Sequence, residues 1–222
     1  MCGLFLNPNH ISYKRRTMEK TTTKKGAFNV RALAITAMLA ALSYVLAFLE
    51  IPVPLSPSFA KFDLSDLPAL MGAFAFGPVS GVAIELIKNA LHLITTSTGG
   101  IGELANFICG GSFVLSAGLI YGIKKTKKNA WIACLISSLI MGIAAAVTNY
   151  FILLPMFEQF MPLDQIIESF GAFIPFIKTK FDVVAYNALP FNVLKGLAIG
   201  VFTMLVYKRL MPVLRGSKET AE

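Results

Sequence analysis

The feature that most constrains this chain is a series of long apolar runs that contain almost no charge. The first covers residues 31–49, and it has no charged side chain after Arg31. As a helix that rises 1.5 Å per residue, it would be about 28 Å long, close to the hydrocarbon thickness of a bilayer. Only 14% of all residues are charged and 55% are hydrophobic, whereas soluble domains carry roughly a quarter charged residues. We therefore expect lipid to surround most of the protein.

Five more apolar runs follow the first. Prolines between residues 50 and 57 separate the first run from the second, because proline removes a backbone donor and ends a helix. The second run is short for a full span and has Pro68 near its start, which predicts a short, tilted or partly embedded helix. The pattern as a whole predicts an all-α membrane protein, a bundle of six transmembrane helices. The five runs cover residues 64–76, 79–94, 104–123, 130–156 and 186–207.

The basic residues lie at the flanks of these runs, and the net charge is +8. They cluster in residues 14–31, in the 124–128 loop and in residues 208–218. The positive-inside rule assigns such clusters to the cytoplasmic side of the membrane. We therefore expect six spans with both termini on that side. Membrane lipid is an expected partner of the basic segments. The sequence has no basic stripe with interleaved aromatic residues, so nucleic acid is not expected as a partner.

The expected organisation has three parts: a basic cytoplasmic segment of residues 1–30, a membrane domain of residues 31–208 and a cytoplasmic tail of residues 209–222. The first residues lack the long apolar core of a signal peptide, and we hypothesise that translation begins at Met18. Residues 157–185 connect the last two runs and are mixed in character. Within this connection, residues 164–170 have a pattern typical of an amphipathic helix at the membrane interface.

Several polar side chains lie inside the apolar runs, where a charge costs a few kcal/mol or more and usually faces a cavity or a partner. Glu85, Lys88, Asn89 and His92 are spaced three or four residues apart, so they share one stripe of a helix. Further polar residues in the runs are Glu103 and Asn106, which share a face, then Asn149, Asn187, Asn192 and Lys195.

Two interpretations of these residues are open. They can pair internally, for example Glu85 with Lys88 or Glu103 with Lys195, and simply hold the bundle together. Alternatively they can bind a ligand, which we favour for Asn192 and Lys195 because neither is a counter-ion for the other. Amides offer a donor and an acceptor on one planar group, which suits the edge of a heterocycle or a set of hydroxyls.

The sequence offers little that predicts catalysis. It has no nucleophile or metal-binding motif of the common hydrolases, and its three cysteines have no metal-ligand spacing. A phosphate-binding G-x-x-x-x-G-K-[ST] motif is absent as well. We therefore expect a protein that binds a small polar solute without a metal or cofactor, and any ATP-driven step would need another chain. A proton-coupled carrier and a membrane-embedded enzyme are the alternatives from other classes.

The first run carries a possible contact surface for another helix. Ala37 and Ala41 form a small-x-x-x-small pair, which allows close approach of two helices. The pattern fits an external partner or a neighbour within the bundle.

Four motifs together resemble the riboflavin-specific substrate-binding (S) components of energy-coupling factor (ECF) transporters. The resemblance extends from about residue 30 to residue 208, nearly the whole membrane domain. The motifs are KFDLSDLPALMGAFAFGP at residues 61–78, IKNALH at 87–92, GELANF at 102–107 and NVLKG at 192–196.

The resemblance implies a six-helix bundle that holds riboflavin near its extracellular side, in the plasma membrane. It also implies docking, through Ala37 and Ala41, on a transmembrane coupling protein that works with two ATPase subunits. Asn192 and Lys195 match the two residues that contact the isoalloxazine edge in the family. Asn149 matches the amide residue that joins them there. The pocket is lined by further polar positions, Lys88, Asn89, His92, Glu103 and Asn106. The 157–185 connection is longer than the family pattern, and a related pocket for another vitamin is the alternative.

Overall fold

The computed structural model describes residues 30–49, 51–52, 61–96, 98–160, 162–172, 174 and 176–215. The proposed start at Met18, almost all of the basic N-terminal segment and the end of the tail lie outside the described residues. Within the described residues, the chain is helical apart from one antiparallel pair of two-residue strands, in which Ile51 faces Phe62.

The elements follow the predicted runs closely. In chain order they are α1 (Val30–Ala47), β1 (Ile51–Pro52), β2 (Lys61–Phe62), α2 (Asp66–Phe76), α3 (Pro78–His92), a 3₁₀ turn (Leu93–Thr95), α4 (Ile101–Ile123), α5 (Lys127–Thr148), a π turn (Asn149–Leu153), α6 (Leu154–Phe157), α7 (Leu163–Gly171), α8 (Lys180–Val183), a second π turn (Val184–Ala188) and α9 (Leu189–Arg215).

Among the residues that the structure describes, four helical segments are long and apolar enough to cross a bilayer: Val30–Ala47, Ile101–Ile123, Lys127–Phe157 and Lys180–Tyr207. The other two predicted spans are also helices, but α2 has 11 residues and α3 has 15. The prediction that the second helix would be short is therefore confirmed. It does not lie at the rim of the bundle, however, because eight of its 11 residues are buried and it packs against α3, α4 and α9.

A tight turn joins α2 to α3. Gly77 has a φ of 106°, a backbone conformation that residues other than glycine rarely adopt. Pro78 follows as the first residue of α3, where its missing N–H is not needed. The turn makes α2 and α3 an antiparallel pair, and this pair carries much of the buried charge described below.

The distribution of polarity is the reverse of that in a soluble protein. Large apolar side chains cover the outside, as shown by Met38 on α1 and Leu205 on α9, which are 71% and 69% exposed. The interior instead contains buried charged groups, including Asp66, Glu85 and Lys88. Charged residues are almost never fully buried in soluble proteins unless paired. An apolar exterior around a polar interior is the arrangement expected of a protein surrounded by lipid.

The two ends of the bundle differ. At the end with the turn between α2 and α3 and the α4–α5 loop, Phe74, Tyr121 and Tyr207 pack against one another, and the two tyrosine hydroxyls are 2.7 Å apart. The opposite end holds the C-terminal ends of α1 and α3 and the N-terminal ends of α2, α4 and α9. The predicted helix at residues 164–170 is confirmed as α7, whose Ile166 and Phe170 are buried in a second apolar cluster near this end.

Candidate ligand-binding pocket

A cavity of about 480 Å³ lies at the end of the bundle opposite the α4–α5 loop. Its volume falls in the range of roughly 300–1,000 Å³ typical of small-molecule sites. Side chains from α3, α4, α9 and the first π turn converge on it. All eight residues predicted as ligand contacts line this cavity: Lys88, Asn89, His92, Glu103, Asn106, Asn149, Asn192 and Lys195.

The hairpin between α3 and α4 brings one group of these residues together. The last turn of α3 carries Asn89 and His92, and the first turns of α4 carry Glu103 and Asn106. His92 Nδ1 lies 3.1 Å from Glu103 Oε1, and the Asn106 amide donates to Asn89 Oδ1 at 3.1 Å. These contacts cross from one helix to the other, so the stripe seen in the sequence becomes one polar wall of the cavity.

The two π turns position a second group. In the first, the Leu154 N–H donates to the Asn149 carbonyl, and in the second the Leu189 N–H donates to the Val184 carbonyl. Each bond spans five residues, so the turn is wider than in an α-helix, a feature often found at functional sites. Asn149 and Asn187 lie in these turns and line the cavity. The sequence contains no pattern that identifies either turn.

Asn149 and Asn192 are held in a similar way. Each side-chain amide donates at 2.8 Å to the carbonyl of the residue four positions earlier, Ala145 and Ala188 respectively. Each amide group has two N–H donors and a carbonyl acceptor. Each therefore retains a donor and an acceptor with which to bind a ligand.

Lys195 has two counter-ions in the structure, and the sequence interpretation named neither of them. Its ammonium lies 3.0 Å from Asp63 and 3.3 Å from Asp66, and the residue is 4% exposed. Glu103, which the sequence allowed as its partner, instead accepts from Thr96 and Thr98 and pairs with His92. An ammonium has three donors, so Lys195 can be paired with carboxylates and still donate to a ligand.

Asp63 is a pocket residue that the sequence interpretation missed. It lines the cavity, and it accepts from the Ser65 backbone N–H at 2.8 Å and from the Ser65 hydroxyl. Burial and the neighbouring Asp66 raise the pKa of Asp63, but the ammonium groups of Lys195 and Lys88 and the Ser65 hydroxyl lower it, and the net pKa is below the ordinary value. The signal was present in the KFDLSD motif, where two aspartates precede an apolar run.

Lys88 has a different environment from Lys195. Its ammonium lies 2.5 Å from Asp66, 2.6 Å from Glu85 and 3.0 Å from the Ser65 hydroxyl. The expected pairing of Lys88 with Glu85 is therefore present, with Asp66 in addition. Because these three acceptors match its three donors, a ligand that contacts Lys88 directly has to displace one of them.

The remaining walls of the cavity are largely apolar. Two of the aromatic side chains, Phe157 and Phe170, border or lie in the 157–185 connection, and Phe191 comes from α9. An ion pair between Lys180 and Glu158 at 3.2 Å joins the two ends of this connection to each other. Apolar walls with a few polar anchors are typical of pockets for small organic molecules.

Small residues lie on two faces of α1, and these faces point in different directions. Thr36, Ala40 and Ser43 are buried in the bundle, whereas Ala37 and Ala41 are exposed. The pair considered as a contact for another protein therefore lies on the outer surface.

Comparison with known proteins agrees with this arrangement. The sequence pattern of the family described as "ECF transporter, substrate-specific component" matches residues 31–207. The "Riboflavin transporter RibU" of Staphylococcus aureus (strain TCH60) is 33% identical over 187 residues, which are 84% of this chain and 93% of that protein. The "Riboflavin transporter FmnP" of Bacillus subtilis (strain 168) is 33% identical over 186 residues, 82% of this chain and 93% of that protein.

A solved structure described as "Structure and mechanism of the S component of a bacterial ECF transporter" has the same fold. It superposes with a TM-score of 0.66 at 32% sequence identity, over 83% of this chain and 98% of that chain. The family match covers most of the chain, and the polar pocket inside an apolar bundle fits a protein that recognises a solute in a membrane. The chain belongs to the family of substrate-specific components of ECF transporters, and it is a multi-pass protein of the cell membrane.

Proposed function

We propose that this chain is the riboflavin-binding subunit of an ATP-driven, ECF-type uptake transporter. One observation carries the proposal: all eight residues predicted as ligand contacts line a single cavity. The proposal is supported by relatives named as riboflavin transporters that align over most of their length.

The chemistry of the pocket suits a flavin. The edge of an isoalloxazine ring offers carbonyl and ring-nitrogen acceptors and one imide donor. Lys195 can donate to this edge, whereas Asn149 and Asn192 can both donate and accept. The hydroxyls of the ribityl chain suit the polar wall of the α3–α4 hairpin, and the aromatic side chains of the other walls can cover the ring faces.

In the proposed topology, all six predicted helices belong to the membrane bundle and both termini are cytoplasmic. The four lysines of residues 124–128 lie at the end opposite the cavity. By the positive-inside rule that end faces the cytoplasm. The cavity then opens to the outside, as required for uptake of a scarce nutrient.

The energy source in this proposal lies in other chains. The sequence has no phosphate-binding motif, so we propose that a transmembrane coupling protein and two ATPase subunits drive release. The exposed pair Ala37 and Ala41 is the proposed docking face, because small side chains permit close helix contact.

The test of the ligand is purification in mild detergent from cells grown with riboflavin. We expect a yellow protein with flavin absorbance, and quenching of flavin fluorescence when the ligand-free protein is titrated with riboflavin. Other vitamins with a heterocycle serve as competitors. A colourless preparation that riboflavin does not titrate would contradict the proposal, and tight binding of a competitor would assign the pocket to another vitamin.

A separate test concerns the partner. Ala37→Leu adds bulk to the exposed face of α1 without filling the cavity, so we expect unchanged riboflavin affinity but riboflavin uptake at background level in cells. Met38→Leu, which places leucine on the exposed surface beside the pair without adding bulk, is the control. Normal uptake by the Ala37→Leu variant would reject this docking face, and uptake by the isolated chain in liposomes with a proton gradient would favour a proton-coupled carrier.

A further inference from the structure

Five charged side chains form a cluster at the floor of the pocket. They come from the loop after β2, from α2, from α3 and from α9. Four of them are at most 4% exposed. The members of this charge cluster are Asp63, Asp66, Glu85, Lys88 and Lys195.

The charges of the cluster do not balance. Three carboxylates face two ammonium groups, and within the described residues every ion pair of these carboxylates is with Lys88 or Lys195. The other polar neighbours, Ser65 and Asn89, are neutral. With all five groups ionised, the cluster would carry one net negative charge in the interior of a membrane protein.

Glu85 is the carboxyl with the weakest support as an anion. Its Oε2 lies 2.6 Å from Lys88, but its Oε1 is buried and has no hydrogen-bond partner among the described residues. Asp66 contacts both ammonium groups, at 2.5 Å and 3.3 Å, so its negative charge is better compensated than that of Glu85.

The backbone of α4 closes the cluster on one side. A Cβ atom added to Gly110 would lie 2.7 Å from Glu85 Oε2 and 3.3 Å from Asp66 Oδ1, so any larger residue would push into both carboxyl groups. The absence of a side chain at this position leaves room for both carboxyl groups beside α4. The two oxygen atoms also share the Lys88 ammonium, so both acids depend on the same cation.

The protonation state of the cluster depends on two free-energy costs, that of burying a net charge and that of protonating a carboxylate. An uncompensated charge that is removed from water is penalised heavily unless it is paired and hydrogen-bonded. Protonation of an ordinary glutamate at neutral pH is unfavourable by a factor of only roughly 500. We propose that the charge cluster binds one proton, carried by the Glu85 carboxyl, so that the pocket floor is neutral. The inference does not depend on which vitamin the pocket holds.

Matched isosteric variants test the proposal on the full chain. Glu85→Gln replaces a neutral acid with a neutral amide of the same shape, so we expect an unchanged melting temperature and an unchanged yield of folded protein. Asp66→Asn removes the negative charge that neutralises both lysines, so we expect a large fall in both quantities. Equal damage from the two changes would overturn the proposal, because Glu85 would then act as an anion.

Infrared spectroscopy gives a second readout that does not depend on the stability of a variant. At neutral pH the parent protein should show the carbonyl stretch of a protonated carboxylic acid, shifted in heavy water. The band should persist in Glu103→Gln, a matched change outside the cluster, and disappear in Glu85→Gln. A parent protein without the band would overturn the proposal. If that protein also melted at a higher temperature with added sodium or potassium, a metal ion would supply the missing charge instead of a proton.

Discussion

The two ends of the bundle are built from similar helices but in different ways. The closed end, around Tyr121 and Tyr207, is filled by aromatic rings whose hydroxyls bind each other. The pocket end has a cavity of about 480 Å³, two π turns and the buried charge cluster. Close packing gives stability, whereas a binding site needs empty space and polar groups that are held ready for a ligand. The difference shows which end is optimised for recognition.

The largest expected effect at the pocket end follows from Lys195→Ala. The change removes a charge-assisted donor to the proposed ligand and leaves Asp63 and Asp66 short of a cation. We expect riboflavin affinity to fall by about 100-fold and the free energy of unfolding to fall by about 3 kcal/mol. Fluorescence titration and thermal unfolding in detergent measure the two quantities.

Lys180→Ala is the control for that change. Lys180 forms an exposed ion pair with Glu158 at 3.2 Å, and such pairs contribute less than about 1 kcal/mol. Affinity should stay the same in this variant. If Lys195→Ala lowered stability but left affinity unchanged, Lys195 would be a structural cation like Lys88, and the comparison of the two ends would lose its main support.

An intermediate effect is expected from Asn192→Ala. Its amide is held by a bond of 2.8 Å to the Ala188 carbonyl and has no ionic partner. Loss of one or two neutral hydrogen bonds to the ligand should lower affinity by about 10-fold, with little change in stability. Asn129→Ala removes a comparable amide bond, 2.6 Å to the Ile120 carbonyl, at the closed end. Equal loss of affinity in both variants would contradict a local role for Asn192.

The smallest effect on binding is expected at the closed end. Tyr207→Phe removes the hydroxyl that lies 2.7 Å from the Tyr121 hydroxyl. The free energy of unfolding should fall by about 1 kcal/mol, and riboflavin affinity should not change. A fall in affinity would show that the two ends are energetically coupled, so that the closed end would be more than a packing element.

Much of the fold could be predicted because lipid makes hydropathy informative. A helix must satisfy its own backbone hydrogen bonds in a bilayer, so the apolar runs at 31–49, 104–123 and 130–156 correspond to helices of the structure. The burial of α2 was not predicted. Its residues are as apolar as those of a helix that faces lipid, and hydropathy does not distinguish a lipid neighbour from a protein neighbour.

The site was predicted only in part, for a related reason. Polar residues in apolar runs are few and costly, so Asn149, Asn192 and Lys195 could be identified as unusual without any structure. Asp63 lies outside the runs, at the end of a strand, where an aspartate is ordinary. Its contact with Lys195 joins residues 132 positions apart, and helical periodicity carries no information at that separation.

The sequence by itself therefore determined the class of the protein, the helical segments and the set of candidate pocket residues, because the surrounding lipid penalises each misplaced charge individually. Only the tertiary structure decided how those charges are shared. It made Asp63 and Asp66 the partners of Lys195 and paired Glu103 with His92. Among the described residues, it left Glu85 Oε1 without a hydrogen-bond partner. Ion pairs depend on distances in three dimensions, and these distances exist only after the helices have packed.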